Sequence, residues 1–92
     1  MPAVQRVTDQ NGGGGVLTTT PQAFVRVGGE LVAVVGAKGT GHGDDVHVAG
    51  AWQTAGGSAS VRIGGVAVIR RGDVDSCGHA RVGGAAFCRV GG

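Results

Sequence analysis

The apolar residues of this chain alternate with polar ones over short runs, and glycines close most of these runs. A period of two is typical of short β-strands, because successive side chains of a strand point to opposite faces. Glycines interrupt most stretches of helical length, and valine, which is abundant here, is a poor helix former. The pattern therefore predicts an all-β fold built from short strands.

One five-residue pattern recurs three times: an apolar residue, an arginine, another apolar residue and two glycines. The copies begin at Val25, Val61 and Cys88. Alternation places the apolar residues of each copy on the buried face and the arginine on the exposed face. The Gly-Gly pair suits a two-residue hairpin turn, which needs positive φ. We expect return strands at residues 30–35 and 66–71, whereas the third copy stops at its turn.

The composition predicts one small domain that needs stabilisation beyond its apolar core. The chain has 92 residues, enough for a single domain, and glycine occurs at about three times its ordinary frequency. Glycine loses more freedom on folding than other residues, and small apolar side chains bury little area each. Domains of this kind are usually held by a metal, a disulfide or a partner. We expect one domain over residues 1–92, with part of residues 1–15 mobile.

Charge and hydropathy exclude several classes of protein. The net charge is only +2, and the basic and acidic residues are scattered, so the electrostatic footprint of a nucleic-acid-binding protein is missing. The longest apolar run, residues 31–35, is too short to span a bilayer. The start lacks the basic and apolar regions of a secretory signal. We expect synthesis in the cytoplasm and no nucleic-acid partner.

All three histidines and both cysteines lie between positions 42 and 88. His42 and His47 flank two aspartates. Cys77 and His79 are two residues apart, which lets both side chains leave one face of an extended segment. Three imidazoles and one thiolate form a donor set suited to tetrahedral zinc. A metal joining the two pairs would close a long loop, and in principle a cross-link stabilises a fold most when it closes a long loop.

Other interpretations of these residues stay open. His47 lies in an alternating Val-His-Val run and also fits the solvent face of a strand. Cys88 holds a repeat position occupied elsewhere by valine, which indicates a core residue and not a ligand. A Cys77–Cys88 disulfide is a further alternative. Cys77 and His79 are too close on one strand for a nucleophile and its base, and no P-loop ending follows the glycine run, so we expect no enzyme.

The chain resembles the PAAR-repeat family from about Gly12 onward. The family's unit is an extended stretch, a hairpin turn, a Pro-Ala-Ala-Arg return strand and Val-Gly-Asp. Residues 63–73 fall into this register, and Arg70 and Gly72-Asp73 match it directly. Residues 27–37 keep the pattern without the arginine and the aspartate, and the literal Pro-Ala-Ala-Arg string is absent from both units.

Two further segments resemble the metal-bearing segments of that family. Ser76-Cys77-Gly78-His79 is similar to its Ser-Cys-Gly segment, and His42-Gly43 is similar to its His-Gly segment. The histidine or cysteine often found in the family's first glycine-rich segment is missing, since residues 11–15 offer no strong ligand. His47 is then the simplest fourth ligand, and the predicted metal ligands are His42, His47, Cys77 and His79.

The resemblance implies a small cone-shaped, pseudo-threefold domain of short β-hairpins, with zinc, or alternatively iron, at its apex. The broad base would sit on a homotrimeric β-helical spike, with one tip per trimer. The spike would belong to a contractile injection machine: a phage tail, a tail-like particle or a type VI secretion apparatus. Sheath contraction would drive the tip through a target envelope, with transient contact with the target membrane.

The same resemblance sets expectations about cargo and location. Many family members carry fused effector domains, and because this sequence stops at Gly92 we expect a bare tip; a separate effector cargo is compatible with that role. After assembly on the machine, the protein would be delivered outside the cell. The alternative, from another functional class, is a small zinc-stapled binding module unrelated to a spike.

Overall fold

The computed structural model describes residues 2–91, with Ala86 described by its backbone only. These residues form eight short strands and one turn of 3-10 helix, so the all-β prediction is confirmed. No helix among them is long and apolar enough to cross a bilayer. The elements are β1 (Ala3–Val4), β2 (Leu17–Thr19), β3 (Arg26–Val27), β4 (Glu30–Leu31), β5 (Lys38–Gly39), η1 (Asp45–His47), β6 (Arg62–Ile63), β7 (Val66–Ala67) and β8 (Ala85–Arg89).

The two Gly-Gly hairpins form where the repeat predicts them. β3 pairs with β4 across Gly28-Gly29, and β6 pairs with β7 across Gly64-Gly65. Both glycines of each turn have positive φ, 61° and 87° in the first turn and 59° and 81° in the second, as a type I′ turn requires. The regular return strands are shorter than predicted. From Ala33 and Ile69 onward, the backbone forms hydrogen bonds with segments outside the hairpin.

Three chain segments meet in a closed triangle of backbone hydrogen bonds. The Gln5 amide donates to the Ile69 carbonyl (3.0 Å), the Ile69 amide to the Ala33 carbonyl (2.9 Å), and the Ala33 amide to the Gln5 carbonyl (2.9 Å). All three residues are fully buried. The N-terminal segment thus joins the two return strands as a third equivalent member, which the sequence repeat does not reveal.

The third repeat copy pairs with the start of the chain. β8 lies antiparallel to β1, with Ala3 opposite Arg89, and the Val90 amide donates to the Pro2 carbonyl. The N-terminal strand therefore stands where a return strand would follow the third copy. The second glycine of the turn predicted there, Gly92, lies outside the described residues.

The buried side chains form two apolar clusters. The first, called here the tryptophan cluster, consists of Leu17, Ala33, Ala37, Trp52 and Ile69, and Cys77 packs against it. The second, the valine cluster, consists of Val4, Val32, Val34 and Val68, and Cys88 packs against it together with other repeat positions. Along residues 32–34, consecutive side chains alternate between the two clusters, as side chains of extended segments do. Both cysteines are free thiols in different clusters, which contradicts the disulfide alternative.

Candidate metal centre

Two loops carry the four predicted ligands, and backbone hydrogen bonds shape each loop. In the first loop, which follows β5, the His42 amide donates to the His47 carbonyl (2.9 Å). In the second, the Asp75 amide donates to the His79 carbonyl and the Gly78 amide to the Asp75 carbonyl, both at 2.9 Å. Each loop therefore holds its own pair of predicted ligands at a fixed separation.

The strand interpretation of His47 is wrong, because His47 ends the 3-10 turn η1. Asp45 has a positive φ of 54°, and the His47 amide donates to the Asp44 carbonyl (3.0 Å). An alternating strand would bury the two valines and expose His47, and the turn does the opposite. Val46 and Val48 are exposed, whereas the His47 imidazole is half-buried among the other histidines.

The imidazoles of His42, His47 and His79 converge on one point. One ring nitrogen of each lies within 4.8 Å of the others, which is close enough for the three histidines to hold a metal ion. The Nδ1 atom of His47 lies 3.2 Å from the Nε2 atom of His42. The Sγ atom of Cys77 lies 3.5 Å from the same nitrogen. The structure thus gathers the three histidines from loops that are distant in sequence, and it places Cys77 beside His42.

Trp52 and the Thr40 carbonyl orient the His42 ring. The buried Trp52 indole donates its N–H to the Thr40 carbonyl oxygen (3.0 Å) and packs edge-on against His42, with ring centroids 5.1 Å apart. The Nδ1 atom of His42 lies 3.5 Å from that oxygen. Histidine ligands commonly direct their second nitrogen at such an acceptor, which leaves the other nitrogen for the metal. In His42 the nitrogen left for a metal is Nε2, the one that faces Cys77 and His47.

A glycine loop, residues 12–15, packs against the histidines on another side. A Cβ atom on Gly13 would lie 2.6 Å from His79 Nε2 and 2.8 Å from His42 Cδ2. A Cβ on Gly15 would lie 2.5 Å from His42 Nδ1 and 2.9 Å from the Trp52 ring. Any larger residue would displace an imidazole at either position. Sequence reasoning missed this loop because its contribution is the absence of a side chain.

No model of a known protein family matches this chain, and no curated protein matches it. The resemblance to the PAAR-repeat family therefore stays a prediction, and its support is the arrangement of the chain's own residues.

Proposed function

We propose that this chain is a PAAR-like tip protein that caps and sharpens the trimeric central spike of a contractile injection machine. The observation that carries the proposal is an apolar depression of about 170 Å³ to which all three repeat copies contribute. Each copy supplies the two apolar residues that flank its arginine: Val25 and Val27, Val61 and Ile63, and Cys88 and Val90.

The symmetry of a trimer explains why a single chain would repeat itself three times. A cyclic trimer presents three identical surfaces around its axis. One monomer can satisfy all three only if it offers three similar contact surfaces. The hydrogen-bond triangle of Gln5, Ala33 and Ile69 supports such a pseudo-threefold arrangement. Exposed strand edges of a β-helical spike are prone to aggregate, and a cap of this kind would cover them.

The surface around the depression is suited to docking. Val25 is 40% exposed and its neighbour Phe24 is 91% exposed. Exposed apolar patches on a small soluble domain often mark an interaction site. Aromatic side chains contribute strongly to interfaces, because they bury a large area for few rotatable bonds. The depression is therefore the surface we assign to the spike, and we include Phe24 because it is the chain neighbour of Val25, which lines the depression.

Zinc is the metal we propose for the histidine centre, with iron as the other candidate. In a tetrahedral zinc site, two ligating nitrogens lie about 3.3 Å apart and a nitrogen and a thiolate sulfur about 3.6 Å apart. The observed 3.2 Å between His42 and His47 and 3.5 Å between His42 and Cys77 are close to these separations. Zinc would supply rigidity, since a closed four-ligand site contributes folding energy directly.

The two proposed ends of the tip use different residues. Cys77 packs against the tryptophan cluster, whereas the repeat residues that line the depression, except the exposed Val25, pack against the valine cluster. The molecule measures 32 × 23 × 22 Å along its principal axes, so one direction is longer than the others. These features support a cone with the metal at its apex and the depression at its base.

The test is to mix the purified chain with the trimeric β-helical spike protein encoded by the same genome and to measure the mass of the complex by light scattering. We expect one tip per trimer. Val25→Glu should abolish binding, because it places a charge in the depression. Val82→Glu is the matched control, since Val82 is also 40% exposed and does not line the depression.

A spike trimer that ignores the chain, or that binds it equally well with Val25→Glu, would contradict the spike-tip role. A zinc-bound monomer with no affinity for the spike would instead favour the alternative, a small zinc-stapled binding module.

A further inference from the structure

Asn11 holds the glycine loop in its observed shape. Its side chain is buried (1% exposed), and its Oδ1 atom accepts hydrogen bonds from the amides of Gly13 (3.0 Å) and Gly15 (2.9 Å). The Asn11 backbone adds two more bonds, its amide donating to the Gly15 carbonyl and its carbonyl accepting from Gly14. Four hydrogen bonds from one residue therefore fix the loop that packs against His42 and His79.

The same side chain reaches the second ligand loop. The Nδ2 atom of Asn11 donates to Asp75 Oδ2 (3.0 Å), which also accepts from Arg81 Nη1 (2.9 Å). Asp75 is also the first residue of the turn that carries Cys77 and His79, because its backbone amide donates to the His79 carbonyl. One buried amide therefore connects the glycine loop to the loop that carries two of the four proposed ligands.

Arg81 holds the Asp75 carboxylate that accepts from Asn11. Its guanidinium is buried and also donates to the Gln5 side chain (3.1 Å) and to the Asp9 carbonyl (2.8 Å). Arg81 and Asp75 are both almost fully buried, so solvent does not screen their interaction as it does at a surface. The position of the Asp75 carboxylate, and with it the Asn11 amide, is therefore set by fixed partners.

We propose that Asn11 is a positioning residue of the metal centre. It presses the glycine loop against His42 and His79 and ties that loop, through Asp75, to the turn bearing Cys77 and His79. The proposal rests on the metal-binding part of the function proposed above. Residues that orient metal ligands from outside typically change metal affinity about 10- to 100-fold when altered, and we expect a loss of this size for Asn11→Ala.

The first experiment compares Asn11→Ala with Gln22→Ala. Gln22 is also buried and also organises a loop, since its Oε1 atom accepts from the amides of Phe24 (2.9 Å) and Val25 (2.8 Å). Zinc dissociation constants are measured by competition with a chromogenic chelator, and the stability of each metal-free chain by urea unfolding. We expect both metal-free variants to be less stable than the wild type. Only in Asn11→Ala should the zinc affinity fall by more than the loss of stability explains. Equal zinc affinities in the two variants would overturn the proposal.

A second pair of variants keeps the test decisive if Asn11→Ala does not fold. Neither Gly12 nor Gly13 has a positive φ, so alanine strains neither backbone. A Cβ on Gly12 would meet only the Ala80 carbonyl oxygen, at 3.6 Å, whereas a Cβ on Gly13 would meet both imidazoles. With Co²⁺ as the probe, we expect Gly13→Ala to alter the visible absorption bands and weaken binding, and Gly12→Ala to match the wild type.

The results also separate this proposal from the one on which it rests. A wild-type chain that takes up neither zinc nor Co²⁺ would remove the metal centre itself, and the role of Asn11 with it. Tight binding by the wild type, by Asn11→Ala and by Gly13→Ala alike would leave the metal centre intact and overturn only the positioning role.

Discussion

The Sγ atom of Cys77 lies 3.5 Å from the Nε2 atom of His42, although the two residues are 35 positions apart in the chain. Cys77 packs against the tryptophan cluster, which includes two alanines. Such small side chains gain little from burial, at roughly 25 cal/mol per Å². A metal bound across this contact would therefore contribute a large share of the stability of the fold.

Removing the metal should destabilise the protein strongly. We expect about one zinc ion per purified chain, and we expect chelation to lower the melting temperature by at least about 10 °C, because each kcal/mol moves Tm by roughly 4–8 °C in a domain of this size. Elemental analysis and a thermal scan with and without chelator measure both quantities. Readdition of zinc should restore the original Tm. Protein that contains almost no metal and melts unchanged in chelator would contradict the centre.

The two cysteines should respond differently to the same substitution. Cys77→Val removes a proposed ligand, so we expect loss of the bound metal and a Tm close to that of the chelated wild type. Cys88→Val fills a valine-cluster position with a side chain of similar size, so the free energy of unfolding should change by less than about 1 kcal/mol. Both thiols are half-buried, which makes the pair a matched comparison. Similar losses in both variants would argue against Cys77 as a ligand.

The hairpins were predictable because their signals are local. The Gly-Gly pairs at 28–29 and 64–65 supply the positive φ of a tight turn, and the alternating residues on either side supply the strands. The convergence of His42, His47 and His79 also follows the sequence prediction. The hairpin signals depend on residue type at short spacing, which a sequence displays directly, whereas the metal site was expected from residue types that can share one ion.

Features that depend on distant contacts were not predictable in this way. Gln5 joins the hydrogen-bond triangle only because Ala33 and Ile69 complete it, and nothing in its own neighbourhood indicates that partner set. The Val-His-Val run imitates a strand, and the positive φ of Asp45 breaks it. The contribution of Gly13 is invisible in a sequence because it consists of a missing Cβ atom.

Trp52 should report on the metal centre by fluorescence. It is the only tryptophan of the chain, and its ring centroid lies 5.1 Å from that of His42. A paramagnetic ion such as Co²⁺ bound at His42 should therefore quench its emission, whereas zinc should not. Titration of the metal-free protein with Co²⁺ measures the effect, and His42→Ala is the control that should abolish it. Quenching that survives in His42→Ala would place the bound ion elsewhere.

Arg81 should be the costliest arginine to replace. It forms a 2.9 Å ion pair with Asp75 in which both side chains are at most 1% exposed, and Asp75 Oδ1 already has no hydrogen-bond partner among the described residues. Arg81→Met would leave the Asp75 carboxylate buried without its counter-ion. We expect a loss of about 3–5 kcal/mol in the free energy of unfolding, measured by urea denaturation of the metal-loaded protein.

Arg70→Met is the matched control for that prediction. Arg70 pairs with Asp73 at the same distance, 2.9 Å, but both side chains are more exposed. The hydrogen bond to Asp73 raises the pKa of the Arg70 guanidinium, so the pair is favourable, yet water can hydrate Asp73 once its partner is gone. We expect a loss of about 1 kcal/mol. If the two variants unfold at the same urea concentration, burial of the Arg81–Asp75 pair does not govern the stability of this protein, and the fixed anchor assigned to Arg81 behind the metal centre is lost with it.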